Sequence, residues 1–270
     1  MLGVARSGFY AFMTRAPSAR DLADAWLVAE IREVWSGSKE RYGSRHVRAE
    51  FGRRGIGVGV GRVERLMRVA GISGMAPRKR RRTTLRVEGV RPAPDLVERD
   101  FDPTEPNKLW CADITYLSTW EGSIYLAAVM DCCSRRIVGW WMADHMRAEL
   151  VVDALEMAVA RRRPGPGLIH HSDQGSQYVA LTFGHAAGDA GIDVSMGSVG
   201  DCYDNAVSES LFATLKKDLI NRRSWPTKAE LRGEVFSYVE EFYNPIRLHS
   251  RLGYLSPASF EQQTAMTSAA

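Results

Sequence analysis

The order of elements along the 270-residue chain predicts an α/β protein: a mixed five-stranded sheet with flanking helices, preceded by a small helical domain. Three observations carry that prediction. Apolar residues recur at helical spacing three times before residue 71. Three strand-like runs then succeed one another between residues 109 and 142. Beyond them, short apolar runs alternate with helical patterns.

The first helix is expected from about Asp21 to Trp35, where Leu27, Ile31, Val34 and Trp35 fall at i, i+4, i+7 and i+8, with Gly37 ending it. A second should run from Ser44, as N-cap, to Arg53. Gly55 and Gly57 break the chain, and a third helix follows from about Gly61 to Ala70. Its Val63, Leu66, Met67 and Ala70 make one buried stripe, which leaves Arg62, Arg65 and Arg68 on the surface. Three short helices with arginines on the last have the form of a helix-turn-helix module, with DNA contact expected from those three arginines. A plain three-helix bundle with solvated arginines fits the same pattern. The run Arg78-Lys79-Arg80-Arg81-Arg82 repels itself, so it predicts a flexible linker that can neutralise several phosphates. Pro92 and Pro94 keep that linker extended to about residue 105.

A second domain should begin near Asn107. Leu109 to Leu117 reads as a strand with Trp110, Ala112, Ile114 and Tyr116 on one face and Cys111, Asp113 and Thr115 on the other. A turn at Glu121-Gly122 leads to a strand from Ile124 to Met130, and a loop from Asp131 leads to a third from Ile137 to Met142. A helix over Ala148–Arg161, a strand over Leu168–His171, a helix near residues 179–190 and a strand over Asp193–Ser195 follow. Helices over Asn205–Ile220 and Lys228–Tyr243 complete the pattern. Three antiparallel strands, then helix, strand, helix, strand and helix describe a sheet of ribonuclease-H type. The expected divisions are a helical DNA-binding domain over 1–75, a basic linker over 76–105, a core over 106–222 and a helical extension of that core over 223–270.

Composition narrows the function. Charged residues make up 25% and apolar ones 45%, ordinary for a soluble globular protein. No apolar run approaches the roughly 20 residues of a membrane span, and the N-terminus lacks a secretory leader, so a cytoplasmic protein without membrane contact is expected. Lys and Arg outnumber Asp and Glu by 21 to 11 over residues 1–100, a net +10; over 101–270 they are 15 against 21, a net −6. A basic front suits phosphate and an acidic rear suits cations. The cysteines, Cys111, Cys132, Cys133 and Cys202, form no C-x-x-C pair and read as free thiols. No glycine-rich phosphate loop followed by Lys occurs, which argues against ATP use, and no serine has a convincing base and orienter.

The acidic residues that stand out are Asp113, Asp173 and Glu209. Asp113 interrupts an apolar strand, where a carboxylate is costly without a cation or hydrogen bonds. Asp173 ends the fourth strand, and ligand sites collect at such carboxyl ends. Were the first and fourth strands neighbours, about 4.8 Å apart, the two aspartates could share one ion. Glu209 lies with Ala213 and Lys216 on the flank of a helix whose buried arc is Leu211, Phe212, Leu215 and Leu219. Three hard oxygen ligands suit Mg²⁺ or Mn²⁺, and two such ions about 3.5–4 Å apart support in-line displacement at phosphorus. Between Asp113 and Asp173 lie 59 residues, and between Asp173 and Glu209 lie 35.

Five segments together carry a resemblance. They are Trp110-Cys-Ala-Asp-Ile-Thr-Tyr, His171-Ser-Asp-Gln-Gly-Ser-Gln-Tyr, Gly200-Asp-Cys-Tyr-Asp-Asn-Ala-Val-Ser-Glu-Ser-Leu-Phe-Ala-Thr-Leu-Lys, Tyr243-Asn-Pro-Ile-Arg-Leu-His-Ser-Arg-Leu-Gly-Tyr-Leu-Ser-Pro, and the stretch from Tyr42-Gly-Ser-Arg-His-Val to Arg65-Leu-Met. In these the chain resembles the second-frame (OrfB) transposases of the insertion-sequence family conventionally numbered three, relatives of retroviral integrases with a D, D-35-E triad. The resemblance implies a DDE-type transposase that cleaves element ends and joins the 3′-hydroxyl to target DNA. It implies metal-ligand and catalytic roles for Asp113, Asp173 and Glu209, and two Mg²⁺ or Mn²⁺ ions per site. It further implies DNA contact by Lys216 and shaping of the site's rim by Asn205 and the Gly200 loop. Gly197-Ser198-Val199 departs from the basic residue many relatives carry there. The implied partners are double-stranded DNA, as terminal inverted repeats and target, further copies of the chain assembled on that DNA, and an upstream-frame product fused by frameshifting. The protein would be nucleoid-associated when bound to DNA. A metal-dependent nuclease that cuts without joining, and a non-catalytic DNA-binding module, are the competing readings.

Other residues read as structural. His170 and His171 are expected to pack at a strand end, His249 to pack or to touch DNA, and Asp131 to hold a hairpin turn. Asp201 and Asp204 are expected as loop and capping groups, and Trp110, Trp140 and Trp141 as core.

Overall fold

Apolar stripes at helical spacing need a common partner, and in the front of the chain they find one another. In the computed structural model, which describes residues 6–13, 15–75, 93–197 and 206–268, helices α1 (Arg6–Met13), α2 (Ala19–Gly37), α3 (Ser44–Arg53) and α4 (Val60–Val69) form this part. Ser18 starts α2 through a capping box with Asp21: each side chain bonds the other's backbone N–H, at 3.2 and 2.9 Å. Leu27, Ile31 and Val34 of α2 are buried, as are Val47 and Phe51 of α3 and Val63, Leu66 and Met67 of α4. Gly37 ends α2 as expected, and Ser38 caps it. Two expectations are corrected here. Gly43, not Ser44, is the N-cap of α3, and no side chain caps it; the backbones of Gly43 and Gly74 approach so closely there that a Cβ on Gly74 would collide with Gly43. Arg62 and Arg65 do not simply face solvent: both reach Asp24 of α2, at 2.7 and 2.5 Å.

The chain divides into two compact units, Met1–Met75 and Ala76–Ala270. The second is built on β1 (Leu109–Thr119), β2 (Gly122–Asp131), β3 (Ile137–Ala143), β4 (Ile169–Ser172) and β5 (Asp193–Met196), in the order β3-β2-β1-β4-β5. β1, β2 and β3 pair antiparallel, while β4 runs parallel to both β1 and β5. Alternation on β1 divides its residues between two cores. Trp110 and Ala112 join Val138, Leu150, Leu155 and Phe183 on one side; Cys111 joins Val97, Leu109 and Cys132 on the other. The Cys111 and Cys132 sulfurs lie 2.7 Å apart, and Cys111, Cys132 and Cys133 are free and buried. α5 (Ala148–Arg162) crosses β3 at Gly139, where an added Cβ would run into the Ala154 carbonyl and Ala158.

The expected helix near 179–190 is two pieces, α6 (Ser176–Val179) and α7 (Leu181–Asp189), because Ala180 is extended. After α8 (Ala206–Asp218), α9 (Lys228–Ser237) widens into a π-helical turn over Tyr238–Tyr243 with Tyr238, Val239, Phe242 and Tyr243 buried. α10 (Pro257–Ser268), which the sequence reading lacked, follows. Its Glu261 accepts both Arg162 terminal nitrogens at 2.9 and 2.8 Å, Arg136 at 2.6 Å and the Ser134 hydroxyl at 2.7 Å, fastening the chain's end to α5 and the β2–β3 turn. Trp140 is half-buried and Trp141 is 42% exposed, against the expectation of core, since β3 is an edge strand. No helix among the described residues is long and apolar enough to cross a membrane. The expectations placed on Arg78, Lys79, Arg80, Arg81 and Arg82, and on Ser198, Val199, Gly200, Asp201, Cys202, Asp204 and Asn205, lie outside the described residues.

Candidate active site

β1 and β4 run parallel with Leu109 opposite Ile169, Trp110 opposite His170 and Cys111 opposite His171. Two residues further along each chain, that register brings Asp113 and Asp173 to one level, at the carboxyl end of β4. Asp113 accepts the Ile114 N–H at 2.7 Å, and Asp173 accepts the Gly175 N–H at 3.1 Å. Gly175 is there for room: a Cβ on it would stand 3.0 Å from Asp173 Oδ1 and 3.1 Å from Gln177 Oε1.

The electrostatics of this corner favour a cation. Burial pushes the Asp173 carboxyl above its ordinary range, and the Gly175 N–H opposes that shift. Tyr178 on α6 is fully desolvated; burial, then the negative charges of Asp113 and Asp173, push its phenol well up. One tyrosine therefore feels both carboxylates. Its hydroxyl has no hydrogen-bond partner among the described residues. Two hard, partly desolvated carboxylates beside an unsatisfied hydroxyl fit a divalent cation with oxygen ligands.

Glu209 sits in the first turn of α8 and is exposed. α8 packs against β1, with Leu211, Phe212 and Leu215 buried as the helical arc requires. The Lys216 ammonium lies 5.3 Å from the ring centre of Tyr116, three residues past Asp113. Among the described residues, no three His, Cys, Asp or Glu side chains form a group that could hold a metal ion. The structure thus brings Asp113 and Asp173 together and does not gather Glu209 into one cluster with them.

The candidate histidines and Asp131 pack or hydrogen-bond within the protein. His170 is buried in the core, its ring 5.0 Å from Phe183 and 6.0 Å from Tyr178, and burial lowers its pKa to about 4. His171 bonds Ser195 through Nδ1 at 2.9 Å and meets Phe101 edge-on. His249 packs edge-on against Tyr243. Asp131 is buried in its turn and accepts from the backbones of Asn107, Cys133 and Ser134 at 2.6, 3.0 and 2.9 Å. Among the described basic candidates, Arg68 is the most exposed, 4.0 Å from Glu64. Sequence reasoning gave no role to Tyr178 or Gly175; the spacing Asp173-x-Gly175 was the available signal for a tight turn beside the carboxylate.

Sheet order, strand direction and a carboxylate pair, one mid-way along β1 and one at the end of the parallel β4, define a ribonuclease-H-like core preceded in the chain by a helix-turn-helix-like unit. Two family models for an integrase core domain match residues 103–202 and 190–257, and one for an HTH-like domain matches residues 21–82. The chain is 42% identical to the transposase for insertion sequence element IS629 of Shigella sonnei, over 91% of this chain and 82% of that one. It is 40% identical to the IS600 31 kDa protein of the same organism, over 97% of both. With transposase InsF for IS3A of Escherichia coli K12 it shares 37% identity, over 97% of this chain and 92% of the relative. A chain of the simian T-cell lymphotropic virus intasome has the same fold, with a TM-score of 0.50 over 86% of this chain and 74% of that one, at 13% identity. The protein belongs to the second-frame transposases of the IS3 insertion-sequence family, and so to the DDE-type polynucleotidyl transferases.

Proposed function

We propose that this transposase cleaves the ends of its insertion element and transfers the freed 3′-hydroxyl to target DNA, with Asp113, Asp173 and Glu209 as the ligands of two Mg²⁺ or Mn²⁺ ions. The observation that carries the reading is the register of β1 with β4, which sets Asp113 in the middle of β1 level with Asp173 just past the end of β4, both charges bearing on Tyr178. A second geometric relation supports Glu209. Lys216 lies over Tyr116, and α8 is followed by a short 3-10 turn that begins at Ile220, whose carbonyl takes the Trp225 indole N–H, while the Trp225 carbonyl takes the Trp120 N–H. α8 therefore advances alongside β1 toward Trp120. Seven residues of helix and three of strand each span about 10 Å, so Glu209 falls back toward the level of Asp113. An inward shift of the first turn of α8 would complete the ligand set.

Bound divalent ions would activate the attacking oxygen and stabilise the leaving one. Asp113 would serve both ions, Asp173 the first and Glu209 the second. The Lys216 ammonium would hold a phosphate beside the reacting end, and the buried sheet side would keep bulk water from Asp173. The helix-turn-helix-like unit, with Arg62, Arg65 and Arg68, and the basic segment Arg78–Arg82 would bind terminal repeats and phosphates without membrane involvement. Copies of the chain would act together on paired ends, and an upstream-frame product fused by frameshifting would complete the DNA-binding apparatus.

The test is Mg²⁺-dependent strand transfer on terminal-repeat DNA, read as branched or circular joint molecules. Asp113→Asn, Asp173→Asn and Glu209→Gln should each lower joining by about a thousandfold, the equivalent of several kcal/mol of transition-state stabilisation. Wild-type joining by any of them removes that residue from the mechanism. Cleavage without joint molecules turns the assignment into a nuclease.

A further inference from the structure

α8 carries Glu209 near one end, and its other end is held by a buried ionic knot. Asp218, the last residue of α8, has a side chain only 3% exposed, and Arg247 Nε donates to its Oδ2 at 2.9 Å. The Tyr238 hydroxyl donates to the same oxygen at 3.3 Å, and Lys217 reaches Oδ1 at 3.7 Å. The Arg247 side chain is 13% exposed, with its guanidinium 5.8 Å from the Tyr243 ring centre and 3.3 Å from His249 Nε2.

The knot is tied in turn to the sheet. The Tyr243 hydroxyl lies 3.7 Å from Met130 Sδ on β2. The Asn244 side chain accepts the Ile137 N–H and donates to the Ile137 carbonyl, both at 3.0 Å, as if it were another strand beside β3. The segment from the π-helical turn to His249 therefore connects β2 and β3 to the end of α8. A hydrophobic contact alone would let α8 slide or roll on β1, because apolar packing is non-directional. A desolvated guanidinium–carboxylate pair does not slide: its geometry is fixed by direction and by the cost of separating the charges.

We infer that Asp218 and Arg247 are positioning residues that set the rotation and axial position of α8, and through it the reach of Glu209 toward the Asp113–Asp173 pair. The inference rests on the reading of Glu209 as a metal ligand. Glu209 is nine residues before Asp218, about 13.5 Å along the helix, so the knot acts as the fixed end of a lever. Neither residue touches the reacting atoms.

The test is a double-mutant cycle read by metal binding rather than by turnover. Free Mn²⁺ is followed by electron paramagnetic resonance as the full chain, bound to terminal-repeat DNA, is titrated. Glu209→Gln and Arg247→Gln should each weaken the second Mn²⁺ by about tenfold, the range for groups that orient a ligand. The Glu209→Gln/Arg247→Gln protein should be no weaker than Glu209→Gln alone, because Arg247 acts only through that carboxylate. Arg247→Lys should recover part of the loss. Wild-type Mn²⁺ binding by Arg247→Gln, or independent losses that multiply in the double variant, would overturn the inference while leaving Glu209 a ligand. Wild-type binding by Glu209→Gln would instead sink the ligand assignment and the inference with it. Should Arg247→Gln fail to fold, Tyr238→Phe, which removes one hydroxyl from Asp218, reads the same cycle. Its smaller loss should vanish in the Glu209→Gln background, and no loss, or a loss that persists there, overturns the inference.

Discussion

Gly175 shows how much one missing methyl can matter. A Cβ at this position would press on Asp173 Oδ1 and Gln177 Oε1 from 3.0 and 3.1 Å, closer than side chains ordinarily sit. Gly175→Ala should therefore displace the carboxylate by a few tenths of an ångström without opening the fold. Strand transfer is expected to fall, by up to about a hundredfold, with melting nearly unchanged; a wild-type joining rate would show that Asp173 tolerates the shift. His170 makes the pH argument. Burial holds its folded-state pKa at about 4, below the unfolded value of 6.5. The unfolded chain thus binds a proton that the folded chain refuses. The stability contribution is complete above pH 6.5 and is lost as the pH falls through about 4, on the order of 3 kcal/mol in all. Urea unfolding of wild type and His170→Phe at neutral and acid pH checks this: the variant's stability should fall less steeply with acidification.

At the scale of elements, α4 shows what periodicity conveys and what it hides. Its stripe of Val63, Leu66 and Met67 is buried as the spacing demands. No spacing rule, however, pairs Arg62 and Arg65 with Asp24, some forty positions earlier. Two of the three arginines proposed to contact DNA are thereby tied to α2, whereas the Arg68 side chain is 76% exposed. Arg68→Ala should reduce the slope of log affinity against log salt by about one with no change in melting. Arg62→Ala should reduce that slope as well and, by breaking its pair with Asp24, lower the melting temperature slightly, as loss of a surface ion pair does. An Arg62→Ala protein with an unchanged salt slope would remove that arginine from the DNA contacts. The strands were the most legible elements, because alternation from Leu109 to Leu117 fixes which face each residue takes, Asp113 included. Trp141 was misjudged because an apolar run does not reveal that its strand is an edge. α10 was missed although Ser256-Pro257 marks its start: the Ser256 hydroxyl accepts the Ser259 N–H at 3.2 Å, and Pro fits the first helical position. The place of Glu209 relative to the aspartates depends on how α8 lies against β1, which no local pattern encodes.

At the scale of the molecule, Glu261 decides whether the chain's end belongs to the core. Its carboxylate joins α10 to Arg162 of α5 and to Arg136 and Ser134 beside β3, with a side chain 13% exposed. Glu261→Ala leaves two arginines facing each other without their anion. Stability should drop by about 3 kcal/mol, with earlier proteolysis of the C-terminal segment; denaturant midpoints and limited proteolysis measure both. The paired thiols of Cys111 and Cys132 have a different consequence. Burial pushes the Cys111 thiol well above its ordinary pKa, so it is protonated and inert while the sheet is closed. An alkylating reagent can meet it only when β1 parts from its neighbours. The labelling rate of Cys111 is therefore a clock for the breathing of the strand that carries Asp113, timed from inside the molecule and without any DNA present.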